Sequence, residues 1–172
     1  MRAATLVSLS LLAAPALAEP PRVATDIPPV TSLVAQVMGD LGTPEQIVPV
    51  GASPHHVALR PSEAAALEAA SLVIWIGPEL SPGLGDSISA LAADTPTLEL
   101  FEAPGTHHLP ARDSALFADH GHDDHGHGHG HDDHDDEEHS GDDPHLWLDP
   151  ENAIAWLDAI ASALSEADPE NA

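Results

Sequence analysis

The sequence lacks cysteine, lysine and tyrosine, and the first two absences limit the bonds, metal sites and partners that the protein can have. Without cysteine it can form neither disulfides nor thiolate metal sites, so any bound metal must be held by histidine, carboxylate or water. Its only cationic side chains are four arginines, which stand against 29 acidic residues. Such an acidic chain is poorly suited to nucleic acid or anionic membrane surfaces, and it favours cations as partners.

Long apolar runs are missing too, and the one near the start of the chain is too short to cross a membrane. Residues 1–18 instead have the pattern of a secretory signal, with Arg2 as the positive start, an apolar run, and small residues before the junction. We expect cleavage between Ala18 and Glu19, export to the periplasm, and no membrane insertion afterwards. The mature chain would then carry a net charge of 3 − 29 = −26 with neutral histidines.

Histidine, by contrast, is abundant and concentrated in residues 119–143, here named the histidine tract. The tract holds eight of the thirteen histidines and eleven carboxylates, with no large apolar side chain to offset the entropy of ordering it, so we predict a disordered loop. Neutral imidazole is a good ligand for zinc, copper and nickel. We therefore predict accessory metal binding there, and the other interpretation is a solvated acidic linker. The histidines concerned are His120, His122, His125, His127, His129, His131, His134 and His139.

Outside the tract, short apolar strands alternate with helical segments. Strands are predicted over 22–26, 46–50, 72–76 and 97–100, and helices over about 30–38, 61–70 and 84–92. This alternation predicts an α/β fold with a four-stranded, mostly parallel sheet and flanking helices. Right-handed crossovers would gather the loops that follow the strands at one edge, which is where such sheets bind their ligands.

A further helix is predicted after the tract, where Asp149 is a suitable N-cap and Pro150 occupies the first helical position. We expect this helix to run to about Ala167. Its buried face is predicted to carry Ile154, Leu157, Ile160, Ala161 and Leu164.

Two histidines belong to predicted structure rather than to the tract. His55 lies in the loop after the second strand, and His145 lies between a proline and the last predicted helix. Both would stand at the edge where loops gather. Asp26 ends the first strand, and we expect it either to approach this edge or to cap the following helix. A zinc hydrolase would need three fixed ligands and a general base, so two fixed histidines without a catalytic motif argue against an enzyme.

Several segments resemble those of a known family. GASPHHVALRPSE (51–63), LVIWIGPEL (72–80) and DPHLWLDP (143–150), with an acidic histidine-rich loop before the last, resemble motifs of the metal-binding substrate-binding proteins of ABC importers. The resemblance is to the zinc-uptake (ZnuA-like) type, and it covers the mature chain from Arg22 to the last helix. It implies one lobe of a two-lobe protein in which a long helix joins the lobes and zinc lies between them.

By position, the resemblance implies His55 and His145 as zinc ligands and gives His56 no role. It implies an ABC importer permease as partner, with a periplasmic zinc chaperone as a further candidate. We also expect a monomer and, from the charge, no nucleic-acid partner. The expected division is a signal over 1–18, the N-terminal lobe over 19–118, the tract over 119–143, and the end of the lobe with the start of the connecting helix over 144–168. The family's remaining ligands belong to a second lobe that we expect to be absent, which favours a truncated member over a single-lobe derivative.

The sequence leaves two functions open. The first is periplasmic capture of zinc by His55 and His145 and its delivery to an importer, with the tract gathering or buffering zinc. The second is an extracytoplasmic zinc or nickel buffer, or a metallochaperone, whose sites lie wholly in the tract. The excess of imidazole favours zinc over manganese, which prefers oxygen ligands, while copper and nickel also suit the tract.

Overall fold

Four strands form a parallel sheet in the order β2-β1-β3-β4. The strands are β1 (Val23–Thr25), β2 (Glu45–Gln46), β3 (Leu72–Trp75) and β4 (Thr97–Glu99). They belong to a computed structural model that describes residues 19–111 and 141–172. The predicted signal and most of the histidine tract, with its expected disorder, lie outside the described residues. The α/β class and the parallel sheet predicted from the alternation of elements are confirmed.

Within the described residues, the sheet is covered by α1 (Pro28–Met38), α2 (Pro61–Glu68), α3 (Pro82–Leu91) and α4 (Pro150–Ala167). Each helix begins at a proline, whose fixed φ suits the first turn and whose missing N–H is not needed there. α1 packs against α4, and α2 packs against α3, so each face of the sheet carries two helices. None of the described helices combines the length and the apolar character that crossing a membrane requires.

The core lies on both faces of β3, whose four residues are all buried. This burial explains why its sequence is a continuous apolar run rather than an alternating one. The helices contribute fully buried side chains from both sides, namely Val30, Val34, Leu67, Leu84, Trp156 and Ile160. The sheet therefore offers rigid strand ends from which the loops of the site emerge.

β2 is shorter than the predicted strand over 46–50. The N–H groups of Ile47 and Val48 still donate to the carbonyl oxygens of Thr25 (2.8 Å) and Asp26 (3.0 Å), so the chain stays beside β1 for two more residues. Pro49 then has no N–H to continue the ladder.

α4 has the predicted bounds, and the Asp149 side chain caps it by accepting a hydrogen bond from the N–H of Glu151 (2.9 Å). The predicted buried face is wrong in part, because Ile154 is 69 % exposed while Asn152 and Trp156 are fully buried. Both buried side chains have polar atoms that find hydrogen-bond partners in the loop after β4. These bonds rotate the buried stripe towards Asn152 and Trp156. That α4 leads into a connecting helix stays a prediction.

Candidate metal centre

The carboxyl ends of β1 and β3 mark the point at which the chain leaves the sheet in opposite directions, and ligands of open α/β sheets bind beside such a point. Asp26 follows β1 there and is fully buried. Its Oδ1 accepts a hydrogen bond from the N–H of Ile27 (2.7 Å), and its Oδ2 accepts one from the N–H of Ile76 (2.8 Å). Asp26 therefore joins the two strand ends. It does not cap α1, whose N-cap is Ile27.

Burial raises the pKa of Asp26 from 3.8 to about 6, although its hydrogen bonds with the N–H groups of Ile76 and Ile27 act in the opposite direction. A carboxyl group with a raised pKa in the folded state binds its proton more tightly there than in the unfolded chain. Its stabilising contribution is complete below the unfolded pKa and is lost as pH rises through the folded pKa. The folded chain is thus expected to gain stability from Asp26 on mild acidification.

We expect the difference in unfolding free energy between the wild type and Asp26→Asn to change in favour of the wild type by about 1 kcal/mol from pH 7 to pH 5. The comparison cancels the contributions of all other titrating groups, and urea unfolding followed by circular dichroism measures it. Asp149→Asn is the control, because the hydrogen bond from the N–H of Glu151, and then His107, lower the pKa of Asp149 below its usual 3.8, so its difference from the wild type should stay flat between pH 7 and pH 5. A difference for Asp26→Asn that stays flat over this range would contradict the account of Asp26.

His55 is presented by the loop between β2 and α2, which is anchored at both ends. Gly51 has a φ of +84°, and the N–H of Ala52 donates to the carbonyl of Pro49 (3.0 Å), which forms the first turn. At the other end, the buried Glu63 side chain accepts a hydrogen bond from the N–H of Arg60 (2.8 Å). His55 and His56 are both exposed between these anchors.

His145 is presented from the other side of the site by a single turn of 3₁₀ helix over Leu146–Leu148. The N–H of Leu148 donates to the carbonyl of His145 (3.1 Å), and Leu146 is buried in the core. The His145 ring lies 5.2 Å from the Trp147 ring between centroids. Asp143 Oδ1 is 2.6 Å from His145 Nδ1. The ring is therefore held by its own turn and by the segment before it.

The structure places the two histidines side by side. The ring centroids of His55 and His145 are 5.3 Å apart, and the rings meet edge to face at 70°. This is the arrangement that the shared sheet edge led us to expect, since the two loops come from distant parts of the chain. That the pair binds a metal stays a prediction.

The other described histidines do not join this pair. His107 Nδ1 is 3.2 Å from Asp149 Oδ2, and its side chain is 60 % exposed. His108 Nδ1 is 3.4 Å from Asp142 Oδ2 but forms no hydrogen bond. Across residues 19–111 and 141–172, no group of three or more histidine or acidic side chains is arranged to hold a metal ion. The eight tract histidines and the predicted cleavage site at Ala18 are not among the described residues, although Glu19 is.

The two backbone segments that flank residues 112–140 pair with each other. The N–H of Asp143 donates to the carbonyl of Leu109 (2.8 Å), and the N–H of Ala111 donates to the carbonyl of Gly141 (3.0 Å). Pro110 and Asp142 form the antiparallel bridge between these two bonds. The segment that contains the tract histidines therefore leaves and rejoins the fold at one place, close to His145.

Asn152 also supports the site and was not identified from the sequence. Its Oδ1 accepts a hydrogen bond from the N–H of His107 (2.6 Å), while its Nδ2 donates to the carbonyls of His107 (3.0 Å) and Leu146 (3.0 Å). It thereby ties the loop after β4 to the turn that carries His145. A signal was present in the sequence, because Asn152 lies four residues before Trp156 and so shares its helical face.

Proteins with similar sequences point to one family. A family model described as "Zinc-uptake complex component A periplasmic" matches residues 23–172. The chain is 46 % identical over 177 residues to the high-affinity zinc uptake system protein ZnuA of Paracoccus denitrificans (strain Pd 1222), with 96 % of this chain and 53 % of that protein covered. It is 35 % identical over 173 residues to the protein of the same name from Yersinia pestis, with 99 % and 54 % covered.

The fold is similar to that of the periplasmic zinc-binding protein TroA from Treponema pallidum, with a TM-score of 0.63, 19 % identity, and coverage of 87 % of this chain and 45 % of that one. The chain spans about half the length of the curated relatives it matches. These relatives are transport components and not enzymes, as expected from the sequence. The resemblance seen in the sequence motifs is confirmed, and the chain belongs to the family of periplasmic zinc-uptake complex A components.

Proposed function

We propose that this chain is the metal-binding lobe of a periplasmic protein that captures zinc and delivers it to an ABC importer. The observation that carries the proposal is the pair of imidazole rings of His55 and His145, whose centroids are 5.3 Å apart. With Zn–N bonds of about 2.0–2.1 Å, a tetrahedral zinc ion bound to two imidazoles separates their ring centroids by about 5 Å. The observed spacing therefore suits one ion held by both rings.

Two imidazoles do not complete the coordination of zinc, which takes four ligands or three plus water. His55 is exposed and the side chain of His145 is 40 % exposed, so water or further protein ligands can reach the same ion. The curated relatives are about twice as long as this chain, and the family resemblance assigns the remaining ligands to a second lobe. In the whole protein the pair would be one half of the site.

The histidine tract is proposed to gather zinc for this pair. The residues that flank 112–140, the segment with all eight tract histidines, pair with each other as 109–111 with 141–143, and this pairing ends two residues before His145. A tethered ligand acts at an effective concentration on the order of millimolar when its tether spans the distance. The negative charge of the tract raises the local concentration of cations as well. Zinc caught by the tract histidines would therefore be passed to His55 and His145 by local exchange.

The periplasm is the proposed location, supported by the family description and by the signal pattern of residues 1–18. The proposed partner is the membrane permease of an ABC importer, since the relatives are named as parts of a zinc uptake system. A monomer and contact with a periplasmic zinc chaperone are further parts of the proposal. Zinc is favoured over manganese because the two adjacent anchored groups are imidazoles.

We expect the chain to keep one zinc ion when residues 112–140 are replaced by Asn-Gly, and the wild type to bind several further ions more weakly. Because the N–H of Ala111 already donates to the carbonyl of Gly141, a two-residue turn can join the ends without moving them. Equilibrium dialysis with zinc, at matched free zinc, gives the number of ions bound by each protein. Circular dichroism confirms that the replacement leaves the fold intact.

The same measurement tests the second candidate function, a zinc or nickel buffer that uses only the tract. The lack of a three-ligand group in the described residues favours this alternative. If the folded replacement variant binds no zinc, the pair of His55 and His145 is not a site in this chain and the buffer is the better account.

A further inference from the structure

The tightest contact of the His145 ring is with a carboxylate and not with another histidine. Asp143 Oδ1 lies 2.6 Å from Nδ1 of the ring and also accepts a hydrogen bond from the backbone N–H of His145 (3.0 Å). An ionised carboxylate can only accept hydrogen bonds, so Nδ1 must carry the proton. In the neutral ring this leaves Nε2 as the nitrogen with a free lone pair.

The carboxylate is itself held in place. The N–H of Asp143 donates to the carbonyl of Leu109 (2.8 Å), within the antiparallel pairing that closes residues 112–140. Pro144 follows and fixes its own φ, and Leu146 anchors the far side of the turn in the core. The fold thus fixes the backbones of Asp143 and His145 relative to each other. This fixed geometry brings the two side chains to their 2.6 Å contact.

We propose that Asp143 is a positioning residue, which holds His145 in the Nδ1–H tautomer so that the ring meets a metal ion through Nε2. The metal part of this inference rests on the proposed function, while the tautomer part does not. Histidine ligands in metal sites commonly donate their other N–H to a carboxylate, which fixes the ring and raises the basicity of the coordinating nitrogen. Loss of such a partner typically weakens metal binding about 10–100-fold.

A matched control lies next to Asp143 in the chain. Asp142 has the same charge and belongs to the same antiparallel pairing, but it forms no hydrogen bond with the nearby His108 ring. Asp143→Ala and Asp142→Ala therefore remove the same charge at almost the same place, and Asp143→Ala alone removes an acceptor from a ring nitrogen of His145. Asp143→Asn is the second test variant, because its amide oxygen keeps an acceptor and removes the charge.

The test reads the tautomer of His145 in the full-length, metal-free chain at a pH where imidazole is neutral. Long-range proton–nitrogen NMR distinguishes a protonated ring nitrogen from an unprotonated one, and loss of the signal in His145→Gln assigns it. We expect Nδ1–H in the wild type, in Asp142→Ala and in Asp143→Asn, and a shift towards Nε2–H in Asp143→Ala. A wild type with mainly Nε2–H, or an Asp143→Ala protein with the tautomer of the wild type, would overturn the inference.

Zinc titration of the same samples then tests the metal part, with free zinc set by a chelator so that the tract does not obscure the site. Occupancy is read from the His145 ring signals themselves. We expect about 10–100-fold weaker binding in Asp143→Ala and less than about a twofold change in Asp142→Ala. Unchanged binding in an Asp143→Ala protein of altered tautomer would reject the positioning role. If zinc leaves the wild-type His145 signals unchanged, the proposed function fails, and the metal-free spectra still decide the tautomer.

Discussion

Replacing His55 and His145 together with glutamine is expected to weaken zinc binding hardly more than replacing either one alone. Each single replacement should weaken binding at least about tenfold, or about 1.4 kcal/mol, because one imidazole cannot hold the ion that two share. Once one histidine has been replaced, replacing the other removes little further zinc affinity. Strong non-additivity of this kind is expected of side chains that act on one ligand.

The double-mutant cycle is best carried out in the protein in which Asn-Gly replaces residues 112–140, since the tract histidines would otherwise take up zinc. Competition against a zinc chelator measures the four affinities. His56→Gln is the matched control, because His56 is the neighbouring exposed histidine of the same loop. Additive losses from His55→Gln and His145→Gln would mean that the two rings bind separate ions, and the shared site would be rejected.

Trp156→Ala is expected to lower the unfolding free energy by about 3–5 kcal/mol, the range for removal of a large buried aromatic side chain. Trp156 is fully buried on α4, and its Nε1–H donates to Thr106 Oγ1 (2.9 Å). The Thr106 hydroxyl in turn donates to the carbonyl of Leu100 (2.9 Å), so the Trp156 side chain links α4, through Thr106, to the residue that follows β4. Because small domains are stable by only about 5–15 kcal/mol, this loss is a large fraction of the total.

Urea unfolding followed by circular dichroism measures this effect. Trp147→Ala is the comparison, since Trp147 lies beside His145 and is only partly buried, and it should cost less than half as much. Trp156→Phe keeps most of the packing and removes the Nε1–H donor, so it should fall between the wild type and Trp156→Ala. A cost below about 1 kcal/mol for Trp156→Ala would contradict the role given to α4 in the core.

The sheet could be predicted from the sequence because its signals are local. The apolar run of β3, the proline that begins each helix and the spacing of turn residues all act over a few neighbours. The end of β2 and the buried face of α4 were harder to predict from the sequence, because each depends on contacts with a distant part of the chain. Ile154 has the spacing of a core residue, but the hydrogen bonds of Asn152 and Trp156 with the loop after β4 turn it towards solvent.

The sequence predicted which two histidines meet at the site but not the residues that hold them in place. Parallel strands bring their following loops to one edge, which accounts for the meeting of His55 and His145 without any distance information. The carboxylate of Asp143 and the amide of Asn152 depend on how residues 106–111 pack against 141–146, and no local pattern determines that register. The sequence predicts that Asp26 caps a helix or approaches the site. In the structure Asp26 is buried, and its two carboxylate oxygens accept hydrogen bonds from the N–H groups of Ile27 and Ile76, just after β1 and β3.

The most direct test is crystallographic, on the zinc-loaded protein with residues 112–140 replaced by Asn-Gly and with data collected at the zinc absorption edge. The account predicts one anomalous peak per chain, within about 2.0–2.1 Å of a ring nitrogen of His55 and of Nε2 of His145. A peak bound by only one of these rings, or one placed beside His107 and Asp149, would contradict the claim that the two histidines share a zinc ion.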